Sequence, residues 1–153
     1  MMNKASLKDT IAVLDFGSQY SHLIVRRIRE LGVYAELLRP DTSAEILAGY
    51  SAIVFSGGPQ NLSESTALKV DPGIYTLGLP VLGVCYGLQL IAHQLGGAVR
   101  AGDTREYGPT EVVLGKSALF VGLNSKQMTW MSHGDQVTRI PQGFKVVGRS
   151  GAC

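Results

Sequence analysis

Short apolar runs, each ending in a turn of small residues and each followed by a helical pattern, constrain this chain more than any other feature. "TIAVLDF" (10–16) reads as a buried strand that stops at a Gly-Ser turn. "QYSHLIVRRIRELG" (19–32) then reads as an amphipathic helix, with Leu23, Ile24, Ile28 and Leu31 spaced to share a face and Gly32 as its stop. "VYAELL" (33–38) is a second strand, and "TSAEILAGY" (42–50) a short helix capped by Thr42 or Ser43, with Glu45 in its first turn. "SAIVFSGGP" (51–59) is a third strand running into a glycine-rich loop. "LPVLGVC" (79–85) is a fourth, followed by the helix "YGLQLIAHQLGG" (86–97). Buried strands alternating with helices predict an α/β fold, an open, mostly parallel sheet with helices on both faces. Ligands of such sheets gather at the carboxyl ends of the strands. "DFGSQ", "SGGP" and "GVCYG" all fall there.

The pattern changes after Gly97. "TEVVLG" (110–115), "DQVTRI" (135–140) and "KVVG" (145–148) read as shorter, antiparallel strands. The sequence shows no internal repeat, low-complexity segment or linker, so 153 residues are expected to form one domain. A net charge of +2 without a basic stripe gives no reason to expect a nucleic-acid partner. Arg26, Arg27 and Arg29 fall within the first helical pattern and read as a solvated face. No run approaches the roughly 20 apolar residues of a membrane span, and the N-terminus lacks an apolar signal core. The two cysteines, Cys85 and the terminal Cys153, do not make a disulfide framework. No membrane partner, a reducing setting and a cytoplasmic location are the resulting expectations.

Gly83-Val84-Cys85-Tyr86-Gly87 has the glycine-x-nucleophile-x-glycine pattern of a nucleophile elbow. The nucleophile of such a turn takes a strained backbone conformation, and side chains at the flanking positions would strike the strand and helix. The turn sets the side chain at the N-terminus of the next helix, where unpaired N–H groups favour negative charge. A buried, inert cysteine would need neither glycine. A thiolate attacking a carbonyl makes an oxyanion, which needs two donors. The backbone N–H of Tyr86 is one candidate, and Gly58 N–H in "SGGP" is the other; Gly-Gly-Pro is also an ordinary turn signal.

"GVCYGLQ" and "SGGP" resemble the nucleophile motif and oxyanion loop of class I (triad-type) glutamine amidotransferases. "VLDFGSQYSHLIVRRIRELGVYAEL", "GVCYGLQLIAHQLGG", "REYG" and "MSHGDQV" together resemble the glutaminase domains of GMP synthetases, from about Ile11 to Pro141. The resemblance implies a flavodoxin-like fold and a division of labour. Cys85 would attack the side-chain amide of glutamine and release ammonia, and water would cleave the glutamyl thioester. Gly58 and Tyr86 would hold the oxyanion, while Gln89, one helical turn past Cys85, and Ser132, His133 and Asp135 would bind glutamine. The ammonia would pass to an ATP-binding synthetase domain, where xanthosine monophosphate is aminated to GMP.

The family's base is a histidine in a late "HPE" motif, which does not occur among residues 1–153. His93 is eight residues past Cys85 on one helix, about 12 Å along the axis, and cannot reach the thiol. His22 reads as a helix-surface residue, and His133 as a weak substitute base. The expectation is therefore a partial glutamine amidotransferase domain, incomplete at its C-terminus and nearly inactive alone. Its uncovered sheet edge would invite aggregation. No metal or cofactor is expected in this domain; ATP and Mg would belong to the synthetase domain, and the whole protein would be a homodimer. Two other readings stand beside this one: the glutaminase subunit of another ammonia-channelling synthetase, such as those of anthranilate or carbamoyl-phosphate synthesis, and a non-catalytic glutamine-binding or docking fragment.

Overall fold

In the computed structural model, which describes residues 9–60, 62 and 67–151 (102–106 as backbone), the two most deeply buried strands take the middle of the first sheet. β1 (Thr10–Leu14) pairs in parallel with β2 (Tyr34–Leu38) on one side and β3 (Ala52–Phe55) on the other. β4 (Val81–Gly83) adds in parallel to β3, giving the order β2-β1-β3-β4. Successive side chains of a strand face opposite sides, so both faces of β1 need cover. Val13, Val54 and Ala35 pack with Val25 on one face, and Ile11, Ile24, Ile28 and Leu37 surround them. Leu14 and Phe55, one register step away and fully buried, lie on the other face, where Phe16 and Tyr75 set their rings against Phe55. Helices thus cover both faces: α1 (Ser21–Glu30) one, and α3 (Tyr86–Gln94) with a short 3-10 helix (Pro72–Thr76) the other.

The strands are shorter than the apolar runs: those of β1, β3 and β4 spend their last residues in the turns, and "VYAELL" gives up its first. The expected face of α1 needs correction. Ser21 and Val25 are its buried residues, whereas Leu23 is 42% exposed and Leu31, beyond the helix end, 84%. A narrow i, i+3, i+4, i+7 stripe is enough to meet a flat sheet. The basic cluster is used locally. Arg26 and Arg27 both pair with Glu30, at 2.9 and 2.7 Å, and hold its carboxyl below the usual range. Arg29 donates to the Ala35 carbonyl and stacks over Tyr34.

α2 (Ala44–Leu47) follows Ser43 at its N-cap position, but Ser43 makes no side-chain capping bond. Asp71 takes that part from 27 residues away: one carboxylate oxygen accepts from Ala44 N–H (2.8 Å) and the other from Gly73 N–H (2.9 Å). One side chain therefore caps α2 and the 3-10 helix together. The Ala44 and then the Gly73 amide hold the Asp71 carboxyl below its ordinary value. A depressed carboxylate stabilises the fold fully above the ordinary pKa and loses that contribution as pH falls through the folded value. Asp71→Asn is thus expected to melt below the unmodified chain at pH 7, with the gap closing as pH falls below the ordinary carboxylate pKa and through the depressed folded one. A gap independent of pH in thermal melts would show that charge plays no part in the cap.

The chain divides into two compact units, Met1–Ile91 and Ala92–Cys153. The division falls inside α3, where no linker composition could mark it. In the second unit, β5 (Ala98–Leu114) pairs antiparallel with β6 (Lys126–Arg139) and β7 (Gly148–Arg149), in the order β6-β5-β7. The antiparallel arrangement is as expected, but the lengths are not. The expected strands at 110–115 and 135–140 are ends of two long ones, and the one expected at 145–148 starts at Gly148. "AVRAGDTREYGP" hides its strand because glycine, proline and charges score poorly for extended structure. Pairing with β6 overrides that local preference. Among the described residues no helix is long and apolar enough to cross a membrane.

Candidate active site

In a parallel sheet ordered 2-1-3-4, the strand connections reverse direction between β1 and β3, which opens a crevice at their carboxyl ends. "DFGSQ" leaves β1 there and "SGGP" leaves β3, while "GVCYG" leaves β4 beside them. Cys85 is the only residue other than glycine with positive φ among the described residues, at +52°. It is exposed, and its carbonyl accepts the first-turn bond of α3 from Gln89 N–H (3.1 Å). A left-handed conformation costs an L-residue about 1–2 kcal/mol. The surrounding turn must therefore hold it in place.

The two flanking glycines show how. A Cβ on Gly83 would come within 2.5 Å of Leu88 N and 2.7 Å of the Gly87 carbonyl. A Cβ on Gly87 would come within 2.5 Å of Phe55 O and 2.6 Å of Phe55 Cβ. Real Cβ atoms do not approach backbone so closely, so both positions require glycine. Val84 N–H donates to Phe55 O (2.9 Å) and Gly87 N–H donates to Ser56 O (3.2 Å), fastening the elbow to the end of β3.

"SGGP" lies against this turn through Gly57, where a Cβ would sit 3.5 Å from Cys85 Cβ and 3.6 Å from Ser18 Oγ. Gly58, the expected donor, is packed close against the first loop: its Cβ would lie 2.6 Å from Phe16 O. Tyr86 is almost fully buried. Its ring sits 5.4 Å from Phe16, and its hydroxyl donates to Leu68 O at 2.7 Å. That anchoring fixes the first residue of α3 and with it the peptide following Cys85. Gln89 is buried in the next turn. His22 and His93 are both exposed on their helices, His22 as expected of a helix-surface residue.

Ser132, His133 and Asp135 all lie on β6 in the second unit, opposite Tyr107, Glu106 and Ala101 of β5. Strand alternation divides them: His133 and Asp135 share one face, and Ser132 belongs to the other with Trp130 and Met128. Residues 102–105 bulge out of the pairing beside His133 and Asp135, the kind of irregularity that re-aims side chains at functional edges. Cys153 lies outside the described residues.

Sequence reasoning misses Asp15, Ser21 and Ser56. Asp15 Oδ1 accepts from Gly17 N–H (2.9 Å) and from the Ser21 hydroxyl (2.7 Å). Ser21 Oγ in turn lies 3.1 Å from Ser56 Oγ, which accepts Phe16 N–H at 3.0 Å. A signal is present in the sequence: serine directly after an apolar strand must find buried partners.

The class-I glutamine amidotransferase family model matches residues 12–152. The GMP synthase (glutamine-hydrolyzing) of Lactobacillus acidophilus is 51% identical over 149 residues, 95% of this chain and 29% of the relative. That of Enterococcus faecalis is 51% identical over 158 residues, the whole of this chain and 30% of the relative. The chain thus spans about 30% of the length of these curated relatives. Among solved structures, a GMP synthase subunit protein from Thermoplasma acidophilum superposes with a TM-score of 0.84 at 32% identity, over 94% of this chain and 74% of the other. A Thermotoga maritima glutamine amidotransferase, at 21% identity, shares the fold with a TM-score of 0.71 over 94% of this chain and 67% of its own.

Proposed function

The chain belongs to the class-I glutamine amidotransferase family, and from that premise we propose that it takes ammonia from glutamine through a thioester on Cys85. The observation that carries this reading is the strained cysteine at +52°, held between two glycines that tolerate no side chain. The Cys85 thiolate attacks the side-chain amide carbon of glutamine; a C–S bond forms and the carbonyl electron pair moves to oxygen. Gly58 and Tyr86 N–H groups stabilise that oxyanion. Collapse expels the amide nitrogen, which takes up a proton and leaves as ammonia. Water then cleaves the γ-glutamyl thioester, giving glutamate and restoring the thiolate. Gln89, Ser132, His133 and Asp135 bind the glutamine, a role supported by their match to the family's motifs; Ser132, on the strand face opposite His133 and Asp135, takes part through its main chain. The resemblance assigns proton transfer to a histidine of an "HPE" motif, which none of residues 1–153 supplies.

The names of the relatives support an acceptor as well. The whole protein passes the ammonia to a synthetase domain, which uses ATP and Mg to aminate xanthosine monophosphate to GMP in the cytoplasm, as a homodimer. Glutamine hydrolysis by the protein as the cell makes it is expected to rise when xanthosine monophosphate and Mg-ATP are both present. A rise with a different acceptor, and none with these, would move the chain to another ammonia-channelling synthetase.

A further inference from the structure

Ser56 is fully buried, and every polar group it has is committed at the crevice. Its N–H donates to Leu14 O (3.1 Å), its carbonyl accepts from Gly87 N–H (3.2 Å), and its Oγ accepts from Phe16 N–H (3.0 Å). The remaining group is the hydroxyl proton. Ser21 gives its own proton to the Asp15 carboxylate at 2.7 Å, which leaves the Ser56 proton two acceptors: the Gly57 carbonyl at 2.9 Å, the shorter contact, and the Ser21 oxygen at 3.1 Å. A trans peptide is planar, with its C=O and N–H pointing in opposite directions. Pinning the Gly57 carbonyl inward therefore turns the Gly58 N–H outward, away from the core. The two glycines themselves impose little backbone preference.

We infer that Ser56 is a positioning residue: its hydroxyl sets the orientation of the Gly57–Gly58 peptide, and so aims the Gly58 N–H at the oxyanion. This rests on the proposed glutamine chemistry, in which Gly58 is a donor. The same residue ties that peptide to the elbow through Gly87, so donor loop and nucleophile share one anchor.

The test uses the 153-residue chain and two alkylating agents that react at Cys85. A chloroketone derived from glutamine has a carbonyl oxygen for the oxyanion donors to hold; iodoacetamide reacts by simple displacement and makes no oxyanion. Ser56→Ala is expected to slow chloroketone labelling of Cys85 by about ten- to a hundredfold, the scale of an ångström-level misplacement, with the iodoacetamide rate within about twofold. Ser21→Ala disturbs the same buried network but leaves the Ser56–Gly57 bond, and is expected to keep both rates. Should the alanine at 56 fail to fold, Ser56→Cys keeps the shape with a poor donor and is expected to slow the chloroketone selectively, with adducts mapped to Cys85. Equal slowing of both reagents, or equal losses in Ser21→Ala and Ser56→Ala, would overturn the inference and leave Ser56 a structural residue. A chloroketone that shows no glutamine-protectable reaction with unmodified Cys85 would instead overturn the glutamine chemistry itself.

Discussion

Serine in place of Cys85 is expected to lower glutamine hydrolysis, in the protein as the cell makes it, by at least about a thousandfold. Sulfur and oxygen differ little in size, and the side chain is exposed, so the fold should be unaffected. What changes is the nucleophile: an alcohol at neutral pH is scarcely ionised, and a turn that presents a thiol gives it no remedy. A companion variant separates chemistry from stability. Cys85→Gly removes the same sulfur but also relieves a positive φ that only glycine adopts freely. It is expected to hold stability or raise it by up to about 1 kcal/mol while abolishing activity. Strain retained at the cost of stability is the mark of a functional position. A clear loss of stability in Cys85→Gly, read by denaturant unfolding, would show that the residue is there for packing.

Alanine at Gly87 is expected to be among the most damaging small substitutions in the first unit. Its methyl would meet Phe55 O at 2.5 Å and Phe55 Cβ at 2.6 Å, and neither can yield without moving β3. Moving β3 disturbs Ser56 and the elbow together, through the Val84–Phe55 and Gly87–Ser56 hydrogen bonds. The cost is put at about 3 kcal/mol, the upper end for overpacking. Labelling of Cys85 should fall with it. Gly32→Ala is the control: its φ is +84°, but no atom lies within 4 Å of the added methyl, so only the backbone term of about 1 kcal/mol remains. Denaturant midpoints that place the two variants level would show that steric closure at Gly87 is unimportant.

The first unit was legible because its signals are local. Parallel strands buried on both faces read as continuous apolar runs, and each run in "TIAVLDF", "SAIVFSGGP" and "LPVLGVC" ends where a glycine or serine turns the chain. The elbow was legible for a similar reason, since its glycines stand two residues either side of Cys85 and a steric rule requires them. What escaped were interactions across sequence distance. Nothing near Ala44 announces that Asp71 caps its helix. Nothing in "QYSHL" or "SGGP" announces that Ser21 and Ser56 meet at 3.1 Å across 35 residues. The second unit escaped in its lengths, since β5 holds Gly102, Gly108 and Pro109 and is extended only because β6 pairs with it. The division of Ser132 from His133 and Asp135 also needed strand geometry, because as an unbroken motif the residues read as one group.

The most direct measurement is the position of the adduct after the chain is treated with the glutamine chloroketone, mapped by peptide mass spectrometry with and without competing amino acids. A strained, exposed Cys85 at the carboxyl end of β4 predicts one adduct, on Cys85, suppressed by L-glutamine and untouched by L-asparagine. Equal labelling of Cys85 and Cys153, indifferent to glutamine, would contradict the assignment of that turn to glutamine chemistry.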